Sequence, residues 1–257
     1  MERTKLIHHQ LRQALQDGCF RLVYQPQVRL ADERIVGLEA LCRWSTEPIG
    51  AVSPDEFIPL VESQDLLDVY RSWLLQALVR DTSALLVQHA RLELSINFSL
   101  SEIMRPNWLA DMLEWVHVMP SGVSQRLLVE VTEQSYAGAL EPVGAQFHVL
   151  QQQGLRFAVD DFGVGASEMD RLHALPFNGI KLDRSWVQNL ANPDVRTRVT
   201  QLLSYAREHR QLVVAEGIET EVQAHQVREL GIAVAQGYLF DKPQPLEHWL
   251  SVPERFS

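Results

Sequence analysis

Short apolar runs rich in β-forming residues alternate along the chain with longer segments of helical periodicity. Most of the runs are separated by enough residues for a crossover helix, a spacing typical of parallel strands. The runs that predict strands occupy residues 20–28, 34–44, 92–99, 126–133, 156–163, 179–185, 212–217 and 233–240. The segments that predict helices include residues 65–88, 141–154, 194–209 and 219–231.

This alternation favours a closed (β/α)8 barrel of the TIM type, in the α/β class. An open, doubly wound α/β sheet is the alternative, because periodicity alone does not distinguish the two. Residues 29–34 have the composition of a turn, so the first two strands are expected to pair antiparallel. Because no linker-like segment divides the chain, we expect residues 1–257 to form one domain, with a core over about 20–250.

Composition narrows the class of protein. Apolar residues make up 46% of the chain, enough for a sizeable core, and the net charge is −10. Such a charge opposes binding to a nucleic-acid polymer or an anionic membrane, whereas a small phosphate ligand is compatible if cations lie in its pocket. Two cysteines fit a reducing compartment. With a polar N-terminus and no apolar stretch near 20 residues, a cytoplasmic location without membrane contact is expected.

Polar residues interrupt the apolar runs near their C-terminal ends, where a buried parallel sheet should be apolar. These residues are Glu39, Asn97, Glu130, Asp160, Asp161, Lys181, Glu216 and Gln236. One alone would be explained as a helix N-cap or a salt-bridged structural residue. Seven strands that carry one at the same end predict a common site, because the carboxyl ends of barrel strands converge on one mouth.

The period of two along a strand indicates which of these side chains point the same way. Glu39 and Arg43 share a side, with Leu41 between them, and Lys181 shares a side with Asp183. Cys42 has the opposite parity, so a packing role is favoured over a reactive one.

The predicted cluster holds five carboxylates against one lysine and one arginine. Such an excess of acid in a confined mouth requires cations, and oxygen ligands without His or Cys select Mg²⁺ or Mn²⁺. Asp160, with Asp161 beside it, is placed to bridge two ions roughly 3.5–4 Å apart. Two such ions with Lys181 and Arg43 suit hydrolysis of a phosphodiester. The alternative is a barrel mouth of ion pairs without catalysis.

The motifs, in this order, resemble those of the EAL domain, a bacterial family of cyclic di-GMP phosphodiesterases. The name-giving triplet is Glu39-Ala40-Leu41, and the resemblance extends from Tyr24 to Pro245. It includes the segments YQPQV, EALCRW, FIPLVE, NFS, EVTE, DDFGVGAS, IKLDRSWV, VVAEGIET and QGYLF. The resemblance implies a barrel with one antiparallel strand that cleaves cyclic di-GMP to linear pGpG with Mg²⁺ or Mn²⁺.

The resemblance also implies roles for individual residues. The first metal ion would be held by Glu39, Asn97, Glu130 and Asp160, and the second by Asp160, Asp161 and Glu216. Lys181 would lie beside the attacking water, and Glu216 would be an additional candidate for the general base. Arg43 would hold a phosphate, because its forked donors suit one. Substrate contacts or orientation of the site would fall to Gln25, Leu41, Asp183 and Gln236.

One loop departs from the family pattern. The family reads close to DDFGTGYSSL, whereas residues 160–169 read DDFGVGASEM. Glu133 matches a glutamate that anchors this loop and couples it to metal binding and dimerisation, so a homodimer is expected. Because Gly165 and Ser167 still match, we expect the altered loop to affect the rate of hydrolysis or the regulation by dimerisation rather than the chemistry of the site.

Two other functions compete with hydrolysis. An EAL domain that has lost its activity would act as a cyclic di-GMP receptor for a partner, although the full set of acidic residues argues against this. A metal-dependent barrel enzyme for a carbonyl substrate is the second, with Lys181 forming a Schiff base. The glycines after Asp161 do not continue into a P-loop, since no Gly-Lys-Ser/Thr follows. The scattered histidines predict surface or packing roles.

Overall fold

Eight strands form a closed ring, and a ninth short strand extends one edge of it. The computed structural model describes residues 2–63, 66–89, 91–132, 139–163 and 168–257, without the side chains of residues 2, 82 and 168. The strands are β1 (Phe20–Arg29), β2 (Arg34–Thr46), β3 (Gly50–Val52), β4 (Glu93–Ser99), β5 (Leu127–Thr132), β6 (Arg156–Phe162), β7 (Gly179–Leu182), β8 (Leu212–Ala215) and β9 (Val234–Gln236). Around the ring the order is β1-β9-β8-β7-β6-β5-β4-β2, and β2 pairs again with β1. The closed (β/α)8-type barrel predicted from the sequence is therefore confirmed.

Helices surround the ring and connect its parallel strands. They are α1 (Glu2–Gln16), α2 (Pro54–Ser63), α3 (Leu67–Gln88), α4 (Leu100–Ile103), α5 (Trp108–Val118), α6 (Glu141–Gln152), α7 (Glu168–Ala174), α8 (Arg184–Gln188), α9 (Pro193–Glu208), α10 (Glu221–Glu229) and α11 (Leu246–Leu250), with short 3-10 turns at Ser124–Arg126 and Pro253–Arg255. Local sequence sets several of their starts. Asn192 caps α9 ahead of Pro193, and Thr220 forms a capping box with Gln223 at α10.

Strand β1 runs against both of its neighbours. Its pairing with β2 is antiparallel from Phe20–Trp44 to Arg29–Arg34, as the turn composition of residues 29–34 predicts. It also pairs antiparallel with β9, whereas β2, β4, β5, β6, β7, β8 and β9 are parallel to one another in order around the ring. Because these seven strands are parallel, their C-terminal ends meet at one mouth.

The core between the barrel wall and its helices is apolar and rich in aromatic rings. Phe20 of β1 and Trp44 of β2 stack at 5.2 Å, and Phe57 of α2 meets Phe20 edge-on. On the opposite side of the barrel, Phe147 of α6 lies flat on Phe157 of β6 at 3.8 Å. Such buried rings remove large apolar areas from water and fix the helices against the strands that present the polar mouth.

Candidate active site

The polar side chains at the strand ends lie together at the C-terminal mouth of the barrel, where they line a cavity of about 300 Å³. The residues singled out from the sequence that line it are Gln25, Glu39, Leu41, Asp160, Asp161, Lys181, Asp183, Glu216 and Gln236. Sequence reasoning missed Arg184, Gly217, Glu219, Gly237 and Tyr238, which complete the wall. Four of them lie at the C-terminal ends of predicted strand runs and Glu219 lies two residues beyond one, so position along the chain was the signal available for them.

Lys181 lies at the centre of the acidic side chains. Its Nζ lies 2.7 Å from Glu130 Oε2 and 2.7 Å from Glu216 Oε1. Asp160 Oδ1 is 3.0 Å away and Glu39 Oε2 is 3.4 Å away. The lysine side chain is only 2% exposed, so burial of one ammonium group is compensated by four carboxylates.

Amide side chains fill the other side of the mouth. Asn97 Nδ2 donates to Glu39 Oε1 at 2.7 Å, and Gln236 Nε2 donates to Glu39 Oε2 at 2.5 Å. Gln236 also donates to Gln25 Oε1 at 3.2 Å. These bonds fix the orientation of the Glu39 carboxylate from both sides.

A residue that sequence reasoning missed acts in the same way on the second buried glutamate. Gln27 is 6% exposed, and its Nε2 donates to Glu130 Oε1 at 3.3 Å. Its signal was the parity of β1, because Gln27 follows Gln25 by two residues and therefore faces the same side of the strand.

The adjacent acids Asp160 and Asp161 reach the same mouth through a break in strand geometry. In a regular strand neighbouring side chains point to opposite faces. Here the register of β6 against β7 shifts between Val159 and Phe162, and Asp161 has a φ of +52°. This left-handed conformation, which aspartate tolerates better than most residues, brings carboxylate oxygens of Asp160, Asp161 and Glu216 within 4.8 Å of one another.

The chain just after the two aspartates is held by residues that follow the neighbouring strand β7. Trp186 Nε1 donates to the carbonyl of Gly163 at 2.9 Å, and Asp183 N donates to the carbonyl of Phe162 at 3.0 Å. A Cβ on Gly163 would overlap the Trp186 ring, and its φ is +125°. Glycine is therefore required at this position.

Burial and mutual repulsion shift the protonation of the acids. Burial raises the pKa of Glu216 to about 8, and burial together with the charge of Asp160 raises the pKa of Asp161 to about 6. Burial also raises the pKa of Glu130 well above its ordinary value. Burial opposes the charge of Lys181, but the surrounding carboxylates outweigh it and raise the lysine pKa well above its ordinary value. The single positive charge of Lys181 is thus not enough to keep every surrounding carboxylate ionised.

Three predicted site residues need separate description. Arg43 Nη1 donates to the carbonyl of Cys42 at 2.8 Å, and Arg43 is not among the residues that line the cavity. Asp183 lines the cavity and also caps α8, where it accepts a hydrogen bond from Ser185 N at 2.8 Å. Glu133 and residues 164–167 of the altered loop lie outside the described residues.

The donors at the mouth fit divalent cations that prefer oxygen. Every candidate ligand is a carboxylate or amide oxygen, which matches Mg²⁺, Mn²⁺ or Ca²⁺ rather than zinc or copper. Asn97 Oδ1 is buried and accepts no hydrogen bond from any residue that the structure describes. A buried acceptor atom without a hydrogen-bond partner, next to ionisable acids, is compatible with a ligand for a cation.

A second and larger cavity, of about 720 Å³, lies outside the barrel between α3 and α5. About half of its lining side chains are apolar and the rest are polar or charged, with no cluster of metal-ligating acids among its described residues. Phe98 of β4 lies in its wall, next to Arg71 of α3 and Glu102 of α4.

The fold and the mouth together define a (β/α)8-type barrel with a buried acidic cluster at the C-terminal ends of its strands. The EAL domain family matches residues 8–243. The chain therefore belongs to the EAL domain family.

Curated relatives agree with this family. The chain is 34% identical over 242 residues to the cyclic di-GMP phosphodiesterase NbdA of Pseudomonas aeruginosa, which covers 93% of this chain and 31% of NbdA. It is 33% identical over 241 residues to the cyclic di-GMP phosphodiesterase RocR of the same organism, covering 92% of this chain and 60% of RocR. The chain thus spans about a third of one of these relatives and three fifths of the other.

Solved structures agree as well. The phosphodiesterase PaMucR in complex with c-di-GMP superposes with a TM-score of 0.85 at 29% identity, covering 95% of this chain and 99% of that one. The EAL enzyme Bd1971 with cAMP and cyclic di-GMP bound has a TM-score of 0.86 at 28% identity, covering 97% of this chain and 69% of that one. Both likenesses extend over nearly all of the chain.

Proposed function

We propose that this chain is a metal-dependent phosphodiesterase that hydrolyses cyclic di-GMP to linear pGpG. The observation that carries the proposal is the group of five carboxylates around one buried ammonium at the mouth. Relatives named cyclic di-GMP phosphodiesterases, and solved EAL enzymes with that dinucleotide bound, supply the substrate. Such an acidic mouth attracts a phosphodiester only after divalent cations have reversed its charge.

The residues proposed to hold the cations follow from the strand ends. Glu39, Asn97, Glu130 and Asp160 would hold one ion, and Asp160, Asp161 and Glu216 a second. Mg²⁺ or Mn²⁺ is the proposed identity. When bound, the ions would activate water and neutralise charge at the phosphate.

The side chains of the chain itself have distinct tasks in the proposed reaction. Water attacks phosphorus, and the bond from phosphorus to the ribose 3′ oxygen breaks, which leaves the 5′ phosphate of pGpG. Glu216, whose Oε1 lies 2.7 Å from Lys181 Nζ at the mouth, is suited to accept the proton of the attacking water. Lys181 is placed to stabilise the negative charge that develops on the phosphate oxygens.

Substrate orientation is assigned to the wall of the mouth. Gln25, Leu41, Asp183 and Gln236 line the cavity and supply amide, apolar and carboxylate contacts for the dinucleotide. Arg43 lies on the same strand as Glu39, and we propose that its guanidinium leaves the Cys42 carbonyl to bind a phosphate when substrate is present. A homodimer and a cytoplasmic location are part of the same proposal, together with one functional unit over residues 1–257.

The decisive experiment incubates purified chain with cyclic di-GMP and Mg²⁺ or Mn²⁺ and separates the products by chromatography. We expect pGpG with either ion and none with a chelator. Asp160→Asn and Glu39→Gln should abolish turnover, whereas Glu208→Gln, on the exposed end of α9, should not. Binding of the dinucleotide without any pGpG from the unaltered chain would replace the proposal with a receptor function. Activity measured across protein concentrations, together with Glu133→Ala, tests the homodimer.

A further inference from the structure

A buried ion pair outside the acidic mouth clamps the end of β4, the strand that carries Asn97. Arg71 of α3 donates through Nε to Glu102 Oε1 at 2.5 Å and also contacts Glu102 Oε2 through Nη2. The two side chains are 14% and 4% exposed. A forked pair of this kind is rigid, because two parallel bonds fix both the distance and the plane of the two groups.

The same arginine bonds to the backbone of Asn97. Its Nη1 donates to the Asn97 carbonyl at 3.1 Å. The pairing of β2 with β4 ends at Ala40 and Ile96, one residue before Asn97. The Asn97 carbonyl thus lies beyond the last residue pair between β2 and β4. Its hydrogen-bond donor is the guanidinium of Arg71, which belongs to the helix layer outside the barrel.

Two further contacts tie the clamp to the strand end. The guanidinium carbon of Arg71 lies 3.9 Å from the centre of the Phe98 ring, the residue after Asn97. Glu102 Oε2 accepts a hydrogen bond from Ser99 N at 2.7 Å within the capping box of α4. Residues 97, 98 and 99 are therefore each held by Arg71 or by its carboxylate partner.

We propose that Arg71 is a positioning residue, which with Glu102 fixes the end of β4 and thereby aims the Asn97 side chain at the cation site. This inference rests on the proposed function, because it takes Asn97 as a cation ligand. Pairing with β5 holds β4 on one side as far as Ser99, and the clamp holds it from the outer layer. Together they set the direction of the free Asn97 Oδ1, whose partner atom Nδ2 is already committed to Glu39. A single amide ligand is neutral and binds weakly, so its contribution depends on prior orientation.

The test measures cation affinity, separately from turnover. The free Mn²⁺ signal in electron paramagnetic resonance is titrated with purified chain, without nucleotide. The variant is Arg71→Met with Glu102→Gln, which leaves no unpaired buried charge and keeps the capping box, since glutamine serves there as well as glutamate. Arg80→Gln is the control, because Arg80 lines the same outer cavity but is 74% exposed and contacts Asp81.

The double variant should weaken Mn²⁺ binding about tenfold, as loss of a partner that orients a metal ligand commonly does. The Arg80→Gln control should bind as the unaltered chain does. Arg71→Lys, as a single change, should keep part of the Mn²⁺ affinity that the double variant loses. A lysine retains the positive charge, but it cannot bond to Glu102 and Asn97 at the same time as the forked guanidinium does. Thermal unfolding in chelator should show that all variants are folded.

A cycle with Asn97→Ala separates positioning from general stability. In that background the double variant should change Mn²⁺ affinity by less than about twofold, since the ligand that it orients is gone. The proposal would be overturned by a full tenfold loss of Mn²⁺ affinity in the Asn97→Ala background, or by no loss of affinity in the chain that keeps Asn97. If the unaltered chain binds Mn²⁺ but releases no pGpG, only the hydrolytic function fails. If it binds no Mn²⁺, both are overturned.

Discussion

Lys181 Nζ and Glu130 Oε2 lie 2.7 Å apart in the middle of the barrel mouth, and the two side chains are 2% and 0% exposed. An ion pair so far from water persists only because each charge has its partner. The ammonium thus serves as the resident cation of the acidic cluster, and the proposed divalent ions would add to it.

The first prediction concerns this lysine. Lys181→Met should lower the free energy of unfolding in chelator by roughly 3–5 kcal/mol, because it leaves buried carboxylates without their counter-charge. Saturating Mn²⁺ should recover a larger share of stability in the variant than in the unaltered chain. Urea denaturation with and without chelator measures both effects. Lys5→Met, on the exposed face of α1, is the control, and equal loss in the two variants would contradict the prediction.

The second prediction is a dependence of stability on pH in the metal-free chain. Burial raises the pKa of Glu216 from 4.5 to about 8, so between these values the folded chain keeps a proton that the unfolded chain has lost. Stability must therefore fall as pH rises through this window. Asp161, raised from 3.8 to about 6, adds to the slope at its lower end. Lys181 does not alter the sign, because its raised pKa lies above this range.

Melting temperatures in chelator between pH 5 and pH 8.5 measure this slope. Glu216→Gln should flatten it, since the variant has no proton to lose at that position. Glu229→Gln changes an exposed residue of α10 and should keep the slope of the unaltered chain. A melting temperature that rises with pH would contradict the assignment.

The third prediction uses the left-handed backbone at Asp161. Asp161→Asn should remove turnover but leave the metal-free chain at least as stable as before, because asparagine also tolerates a positive φ and removes a charge that repels Asp160. Asp161→Val should remove turnover and also cost about 1–3 kcal/mol in the free energy of unfolding, because a β-branched residue is strained there. Urea denaturation compares the two. Equal stabilities would indicate that the backbone at this residue relaxes freely.

The fourth prediction concerns the contact between the ends of β8 and β9. A Cβ on Gly237 would overlap the backbone of Ile218, which bonds to Gln236 and Leu239. Gly237→Ala should therefore cost about 1–3 kcal/mol in the free energy of unfolding and lower turnover by displacing Gln236. Gly144→Ala in α6 is the matched control, because its Cβ would meet only Ala174 O at 3.7 Å and Leu175 Cδ2 at 3.8 Å, which are ordinary contacts. That change should be neutral, or stabilising by up to about 1 kcal/mol.

The sequence predicts the parts of the site that follow from regular strand geometry. Glu39 and Lys181 could be placed in the mouth because each lies near the end of an apolar run, and the ends of parallel strands converge. The antiparallel first strand was likewise predicted, from the turn at residues 29–34. Strand β3 was missed, since a run of three residues carries no periodicity.

Features that depend on contacts between distant segments could not be predicted. The ion pair of Arg71 and Glu102 joins two helices, and neither residue stands out in its own segment. The bond from Arg43 to the Cys42 carbonyl also escaped strand parity, which gives the direction of a side chain but not the path of its long stem. The left-handed backbone of Asp161 and the register shift around it could not be predicted for a further reason, because a bulge is a property of backbone pairing rather than of residue type.

The bulge in β6 acts as a change of phase along one strand. Up to Val159, successive side chains alternate between the two faces of the barrel wall. After Val159 this alternation is shifted, so that both aspartates face the mouth. Replacing a wall residue by another of similar size leaves this change of phase where it is. Insertion or deletion of one residue before the bulge would turn the side chains that face the helices toward the lumen, and those that face the lumen toward the helices. Length is therefore more tightly constrained than side-chain identity in the stretch that leads into the two acids.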